Sequence, residues 1–247
     1  MKSSELRLYT FGAAWGLPTA GPFGLKLETC LRMLGVPYQR MYENDNRKGP
    51  KRKSPWIVDG DLRLGDTELI LDHVAKKYQK HLDLDLSEDQ RARSMVLRRM
   101  LEEHYHQVFE YELAVLDGGF QHLKKMFDLP APLLPIVAPL VRRGIRKHLF
   151  ERGIGRHTPE EVAAMGKKDI DALAAWLGDR QWFITDERPT KADASAFGLL
   201  AVSIRSPLPT PVCTYARTKP NLVEFVDRAM ARFFSESAAT PAPRAAA

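Results

Sequence analysis

The sequence predicts a two-domain α+β protein. A small mixed domain covers residues 1–80, a linker 81–86, an all-helical domain 87–235 and a disordered tail 236–247. Three observations predict it. Strand-like runs alternate with two helical runs in the first 80 residues, in the order β-α-β, a basic connector, then β-β-α. From about residue 84 the apolar spacing is helical throughout. Three N-capping boxes then mark separate helix starts.

The elements follow in order. "ELRLYTF" sets Leu6, Leu8 and Thr10 against Arg7 and Tyr9, the two-residue period of a half-buried strand. In "TAGPFGLKLETCLRMLGVPY", residues 19–38, Phe23, Leu27, Cys30, Leu31 and Leu34 recur at helical spacing and predict the buried face of a first helix. Gly35 and Pro37 stop it. "PYQRMYEN" follows as a second strand. "PWIVDGDLRLGD" places Asp59-Gly60 between two apolar runs, a hairpin signature. "TELILDHVAKKY" returns to helical spacing, with Leu69, Ile70, Val74 and Tyr78 predicted inward.

Ser87 and Gln90 form an S-x-x-Q box opening a long helix that reaches about Leu116. Thr158, Pro159 and Glu161 repeat the device, with proline at the first helical position. Thr190 and Asp193 cap the apolar run "ASAFGLLAVSI". "PNLVEFVDRAMARFF" sets Leu222, Phe225, Val226 and Met230 on one face. "SESAATPAPRAAA" is rich in Ala and Pro and predicts no packed structure.

Composition narrows the function classes. Lys and Arg number 37 against 31 Asp and Glu, a net charge of +6. This diffuse excess suits an anionic ligand or surface. The basic run "RKGPKRKSPW" has no interleaved aromatics of the kind that stack nucleic-acid bases, so no nucleic-acid partner is expected. Two cysteines, Cys30 and Cys213, make neither a disulfide framework nor a Cys-based zinc site. His104 and His106, two apart, face differently on a helix, and no metal is expected. "MKSSELRLYTFG" lacks the apolar core of a secretory signal. The most apolar run, "LPAPLLPIVAPLV", is too short to span a bilayer and holds four prolines. A cytoplasmic location is the expectation. "RRGIRKHLFERGIGR" reads as an exposed basic helix face in preference to a membrane contact.

Residues 19–38 are similar to the first loop and helix of a thioredoxin-type domain, where cysteines flank the proline as C-P-x-C. Gly21 and Gly24 stand at both cysteine positions here. "KSPW", residues 53–56, precedes the hairpin, and "GDTELILDHV" carries an acid–hydroxyl pair at a helix start. "GLPTAGPFGLKLETCLRMLGVPYQ", "RRMLEEHYHQVFEYE", "RGIGRHTPEEV" and "TKADASAFGLL" complete an ordered set spanning most of residues 6–235. By these motifs the chain resembles the glutathione transferases, and within them the failed-axon-connections and metaxin-like branch.

The resemblance implies the glutathione transferase fold, with a thioredoxin-like N-terminal domain. It also implies glutathione as co-substrate, a homodimer, and a detoxifying transfer of the glutathione thiolate to an apolar electrophile. Glutathione's γ-glutamyl end carries a carboxylate and an ammonium together. Thr67 with helix-start N–H groups suits the first, and Asp66 the second; simple capping of a helix is the alternative for both. By family position Pro55 is cis, the Ser54 backbone pairs with the cysteinyl unit, and Lys53 meets the glycine carboxylate. The serine that commonly precedes the Pro-Phe pair is Gly21 here, so the thiolate needs another donor. Thr19 is the candidate, helped by backbone N–H groups, with Tyr9 and Trp15 as alternatives. Tyr105, Phe109 and Tyr111 are expected to wall the pocket for the electrophile. Cys30 belongs to the core. A catalytically silent binding or adaptor protein on the same fold is the competing reading.

Overall fold

The computed structural model describes residues 6–127 and 129–238. Its strands are β1 (Arg7–Thr10), β2 (Gln39–Tyr42), β3 (Trp56–Asp59) and β4 (Leu62–Gly65), in the sheet order β2-β1-β3-β4. β1 and β2 pair in parallel, which demands a crossover, and α1 (Pro22–Met33) supplies it. β3 runs antiparallel to both neighbours, and the β3–β4 hairpin turns at Gly60, φ +61°. Leu6, Leu8 and Thr10 point to the buried face of the sheet, as the alternation predicts. Tyr9 lies on the opposite face, stacked on its cross-strand partner Trp56 with centroids 5.2 Å apart.

α2 (Thr67–Tyr78) packs with α1 on that buried face. Ile70, Leu71, Val74 and Tyr78 fall on one side of α2. Leu69, expected inward, is about half a turn away and exposed. α1 is enclosed on two sides. Leu27, Cys30 and Leu31 join the sheet-side core, whereas Leu25 enters the core of the helical half. Burying each such aliphatic side chain stabilises the fold by about 1.5–3 kcal/mol.

The helical half opens with α3 (Glu88–Arg99), whose Ser87–Gln90 box closes reciprocally. The expected uninterrupted helix to Leu116 is not formed. Met100–Tyr105 winds as a π-helical turn, α4 (His106–Ala114) follows, and Leu116 is already extended at ψ 139°. The chain continues through α5 (Asp117–Lys124), α6 (Leu134–Glu151), α7 (Pro159–Leu177), α8 (Lys191–Arg205), α9 (Pro211–Ala216) and α10 (Pro220–Phe233). α8 is buried from Ala192 to Ile204 and forms the axis of this half. Thr158 and Glu161 close the box at α7, and Asp193 accepts from the Thr190 N–H at 2.8 Å. The buried Glu112 carboxylate accepts from Thr210 Oγ1 and the Val212 and Cys213 N–H groups, so α9 is capped by a side chain 100 residues away. Leu222, Phe225, Val226 and Met230 are buried, as their spacing predicts. Residues 236–238, expected in the tail, belong to a regular turn. Ser235–Ala238 form a short 3₁₀ turn in which Glu236 pairs with Arg32; residues 239–247 lie outside the described residues.

Candidate functional site

Four pieces of chain meet where the two halves face each other: the Ser54–Pro55 turn, the start of α2, the start of α1, and the π-turn running into α4. The Ser54–Pro55 peptide is cis. Among the described residues, neither the N–H nor the C=O of Ser54 bonds to another backbone group, and its buried Oγ has no hydrogen-bond partner. Buried polar atoms are seldom left so. Lys53 is exposed and forms no ion pair among the described residues.

At the start of α2, Asp66 holds φ +84°, ψ 122°, a conformation unfavourable for any residue with a Cβ and concentrated at functional sites. Its Oδ1 accepts from the Glu68 and Leu69 N–H groups at 3.0 and 3.2 Å. The capping role is therefore real; the residue is exposed, and Oδ2 accepts no hydrogen bond among the described residues. Thr67 is buried, and its hydroxyl accepts from Lys26 Nζ at 3.1 Å. Its own proton is donated to no group among the described residues and is free for a ligand.

Lys26 is the residue that sequence reasoning missed. Only 1% exposed, its ammonium meets Thr67 Oγ1, Glu68 Oε1 at 3.0 Å and Glu102 Oε1 at 2.8 Å, an acceptor for each donor. Arg98 also pairs with Glu68 at 2.7 Å, and Ser195 Oγ donates to Glu102 at 2.6 Å. Burial would raise the Glu68 pKa, but Lys26 and Arg98 outweigh it and hold the carboxyl at about 2. Two cations and two carboxylates balance in this network, and it is the Lys26 ammonium that is held against the Thr67 hydroxyl. One sign was visible. Lys26 stands three residues after Phe23 and four before Cys30, inside the apolar stripe of its helix.

The start of α1 corrects the expected thiolate donors. Thr19 is fully buried: its hydroxyl is 2.9 Å from Thr10 Oγ1 and accepts the Gly21 N–H at 3.1 Å. It fastens the loop to β1 and does not open to the cleft. Tyr9 is stacked on Trp56 on the sheet face away from α1, and Trp15, φ +57°, packs against the helical core. The two glycines have steric reasons. A Cβ at position 24 would lie 2.1 Å from Thr10 Oγ1, and one at position 21 would lie 2.8 Å from Phe11 Cδ2. The Phe11 ring crowds the place where a side chain at 21 would start.

His106 is the second residue missed. The first residue of α4, it meets the Phe23 ring edge-on with centroids 4.8 Å apart. Its Nδ1 is 4.0 Å from Glu110 Oε2, and among the described residues its Nε2 bonds to nothing. Burial holds its pKa below the ordinary imidazole value. Arg152 and Lys53 push the same way, against Glu110 and Glu102. A neutral imidazole therefore stands over the first turn of α1.

The expected pocket wall is also corrected. Tyr105, Phe109 and Tyr111 are all buried in the helical core, with the Tyr105 hydroxyl donating to Ser203 Oγ at 2.9 Å. Tyr105 is thereby fixed against α8, and Phe109 and Tyr111 are buried in the same core, so none of the three lines the cleft. Cys30 and Cys213 are free and buried. Among the described residues no group of three His, Cys, Asp or Glu side chains is placed to hold a metal ion. A cavity of about 440 Å³ between Arg32, Arg188, Arg232 and Phe233 lies at the far end of α1 from this cleft. Its Arg32 and Arg188 are already paired with Glu236 and Asp85.

Known proteins of this architecture match the same segments. Residues 22–118 match the glutathione S-transferase N-terminal domain, and residues 166–229 the glutathione S-transferase C-terminal domain. The chain belongs to the glutathione S-transferase superfamily. An isoprene-epoxide glutathione S-transferase of Rhodococcus sp. (strain AD45) is 28% identical over 237 residues, covering 90% of this chain and 97% of that protein. Failed axon connections of Drosophila melanogaster is 30% identical over 243 residues, covering 93% of this chain and 58% of that longer protein. A glutathione S-transferase from Rhodospirillum rubrum F11 superposes with a TM-score of 0.62 at 16% identity, covering 97% and 94% of the two chains. The glutathione S-transferase fold is thus present from β1 to α10, and Lys26, Ser54, Pro55, Asp66, Thr67 and His106 all fall within the matched N-terminal segment.

Proposed function

We propose that this protein binds glutathione in the cleft and transfers its thiolate to a small apolar electrophile. The observation that carries the reading is the Thr67 hydroxyl, primed by buried Lys26 beside the Asp66 carboxylate. Thr67 receives the γ-glutamyl carboxylate through its hydroxyl and its backbone N–H, since the Glu68 and Leu69 N–H groups already bond Asp66 Oδ1, and Asp66 Oδ2 receives the ammonium. The Ser54 N–H and C=O pair with the cysteinyl backbone, and Lys53 takes the glycine carboxylate.

With Gly21 in place of a hydroxyl, His106 is our candidate base. Its neutral ring accepts the thiol proton, and sulfur attacks the electrophilic carbon. The C–S bond forms as the bond to the leaving oxygen breaks, and the proton returns from His106 to that oxygen. An epoxide is the electrophile class with a precedent, since the Rhodococcus relative is named for one. Exposed Leu69 on α2 and Met95 and Val96 on α3, elements bridged by Glu68–Arg98, suit a homodimer surface. Two free, buried thiols suit a reducing cytoplasm.

A second reading, a silent adaptor that binds glutathione without activating it, is favoured by the Phe11 ring against Gly21. Calorimetric titration of glutathione into wild type and Asp66→Asn tests the site, and thiolate absorbance of the bound ligand against pH separates the readings. Binding weakened by Asp66→Asn with a lowered thiol pKa supports the enzyme. Binding with an unmoved thiol pKa supports the adaptor, and no binding defeats both.

A further inference from the structure

We infer that α6 docks this protein on an anionic membrane surface, a role independent of the glutathione site. α6 has two apolar faces where a soluble surface helix has one. Leu134, Ala138, Ile145 and Leu149 turn inward, and Arg142 pins the helix by donating to the Ala114 and Val115 carbonyls and to Asp117. The opposite face carries Leu133, Ile136, Leu140, Arg143, Lys147 and Phe150, spaced three, four, three, four and three residues apart. Ile136 and Leu140 are each 63% exposed and Phe150 54%. Large aliphatic side chains so presented are an interaction surface, not scattered surface apolarity.

Charge selects the occupant. Residues 129–150 contain four basic side chains, Arg142, Arg143, Arg146 and Lys147, and no acidic one. Arg143 has no ion pair among the described residues, and Lys147 reaches only Glu151, at 3.8 Å. The outer face is apolar over Leu133–Leu140 and cationic at Arg143 and Lys147, and Phe150 beyond them carries the Arg156 guanidinium over its ring at 5.0 Å. A bilayer surface is layered in the same sense, acyl chains beneath phosphates. The helix can lie obliquely, its first half among the acyl chains and its arginine and lysine at the headgroups. Among the described residues no helix is long and apolar enough to cross a membrane, so the contact is peripheral.

Co-sedimentation of the full chain with phosphatidylcholine vesicles, with and without about 30% phosphatidylserine, tests this. Wild type is expected to pellet with the anionic vesicles only and to be released by salt. Ile136→Asp/Leu140→Asp and Arg143→Glu/Lys147→Glu should each lower partitioning about tenfold or more, with thermal melting unchanged because all four side chains are on the surface. Lys51→Glu/Arg52→Glu removes the same net charge elsewhere and should leave most binding intact. Failure of wild type to bind, or equal loss in the Lys51/Arg52 variant, overturns the proposal. Conversion of a dimer to a monomer by Ile136→Asp/Leu140→Asp assigns the face to a second copy and overturns it as well.

Discussion

Lys26→Met keeps the stem of the buried lysine and removes its charge, which isolates the network behind Thr67. Lys26 is the only cation paired with Glu102 among the described residues, and the Glu102 side chain is 13% exposed. After the substitution Glu102 keeps only the Ser195 hydroxyl at 2.6 Å. Glu68 is 37% exposed and retains Arg98, so solvent and the guanidinium absorb most of its loss. Breaking a buried pair costs about 3–5 kcal/mol. With Glu68 discounted, about 3 kcal/mol is expected, roughly a 6–12 °C fall in Tm for a chain of this size. Urea unfolding of wild type, Lys26→Met, Glu102→Gln and the double variant measures it. The double variant should recover about 1 kcal/mol or more, because no carboxylate is then stranded. Glutathione affinity should fall in Lys26→Met, since the Thr67 hydroxyl loses its orienting donor. The pH dependence has a definite sign. Glu68 titrates at about 2 in the folded chain, below the ordinary 4.5, so its contribution is full above the ordinary value and disappears as pH falls toward 2. Lys26→Met should flatten that acid window. A loss below about 1 kcal/mol, or strictly additive effects of Lys26→Met and Glu102→Gln, would refute the coupling.

The remaining expectations concern the site directly. Thr67→Val should weaken glutathione by roughly 10–100-fold in calorimetry, the value of a hydrogen bond to a charged group. His106→Gln should lower kcat/KM by about 10²–10⁴-fold at neutral pH. In wild type kcat/KM should fall as pH drops through the depressed His106 pKa, where the ring is protonated and accepts nothing; the variant should lose that limb. Gly21→Ser should destabilise by about 1–3 kcal/mol in urea, because Phe11 must give way, and Phe11→Leu should relieve part of it. Burial pushes the Cys30 and Cys213 thiols up to about 12, so neither should react with a thiol reagent until the chain unfolds.

Local rules in the sequence determined the elements. The alternation of Leu6, Leu8 and Thr10, the Asp59-Gly60 turn and the Ser87 and Thr158 boxes each depend on neighbours a few residues away, so they could be read without a structure. The acid–hydroxyl pair at Asp66–Thr67 and the proline at 55 were legible for the same reason, with the resemblance assigning their use. Tertiary packing decided which side chains reach the cleft. Tyr105, Phe109 and Tyr111 looked like pocket aromatics until the core of the helical half buried them, and Thr19 looked available until Thr10, on a different element, took its hydroxyl. The apolar stripe of α1 hinted only that Lys26 is buried; its role, and that of His106, emerged when distant segments were brought together, Thr67 beside the first and Phe23 beside the second. Burial and charge pairing are properties of that assembled surface. No periodicity along one helix encodes what another helix will press against it.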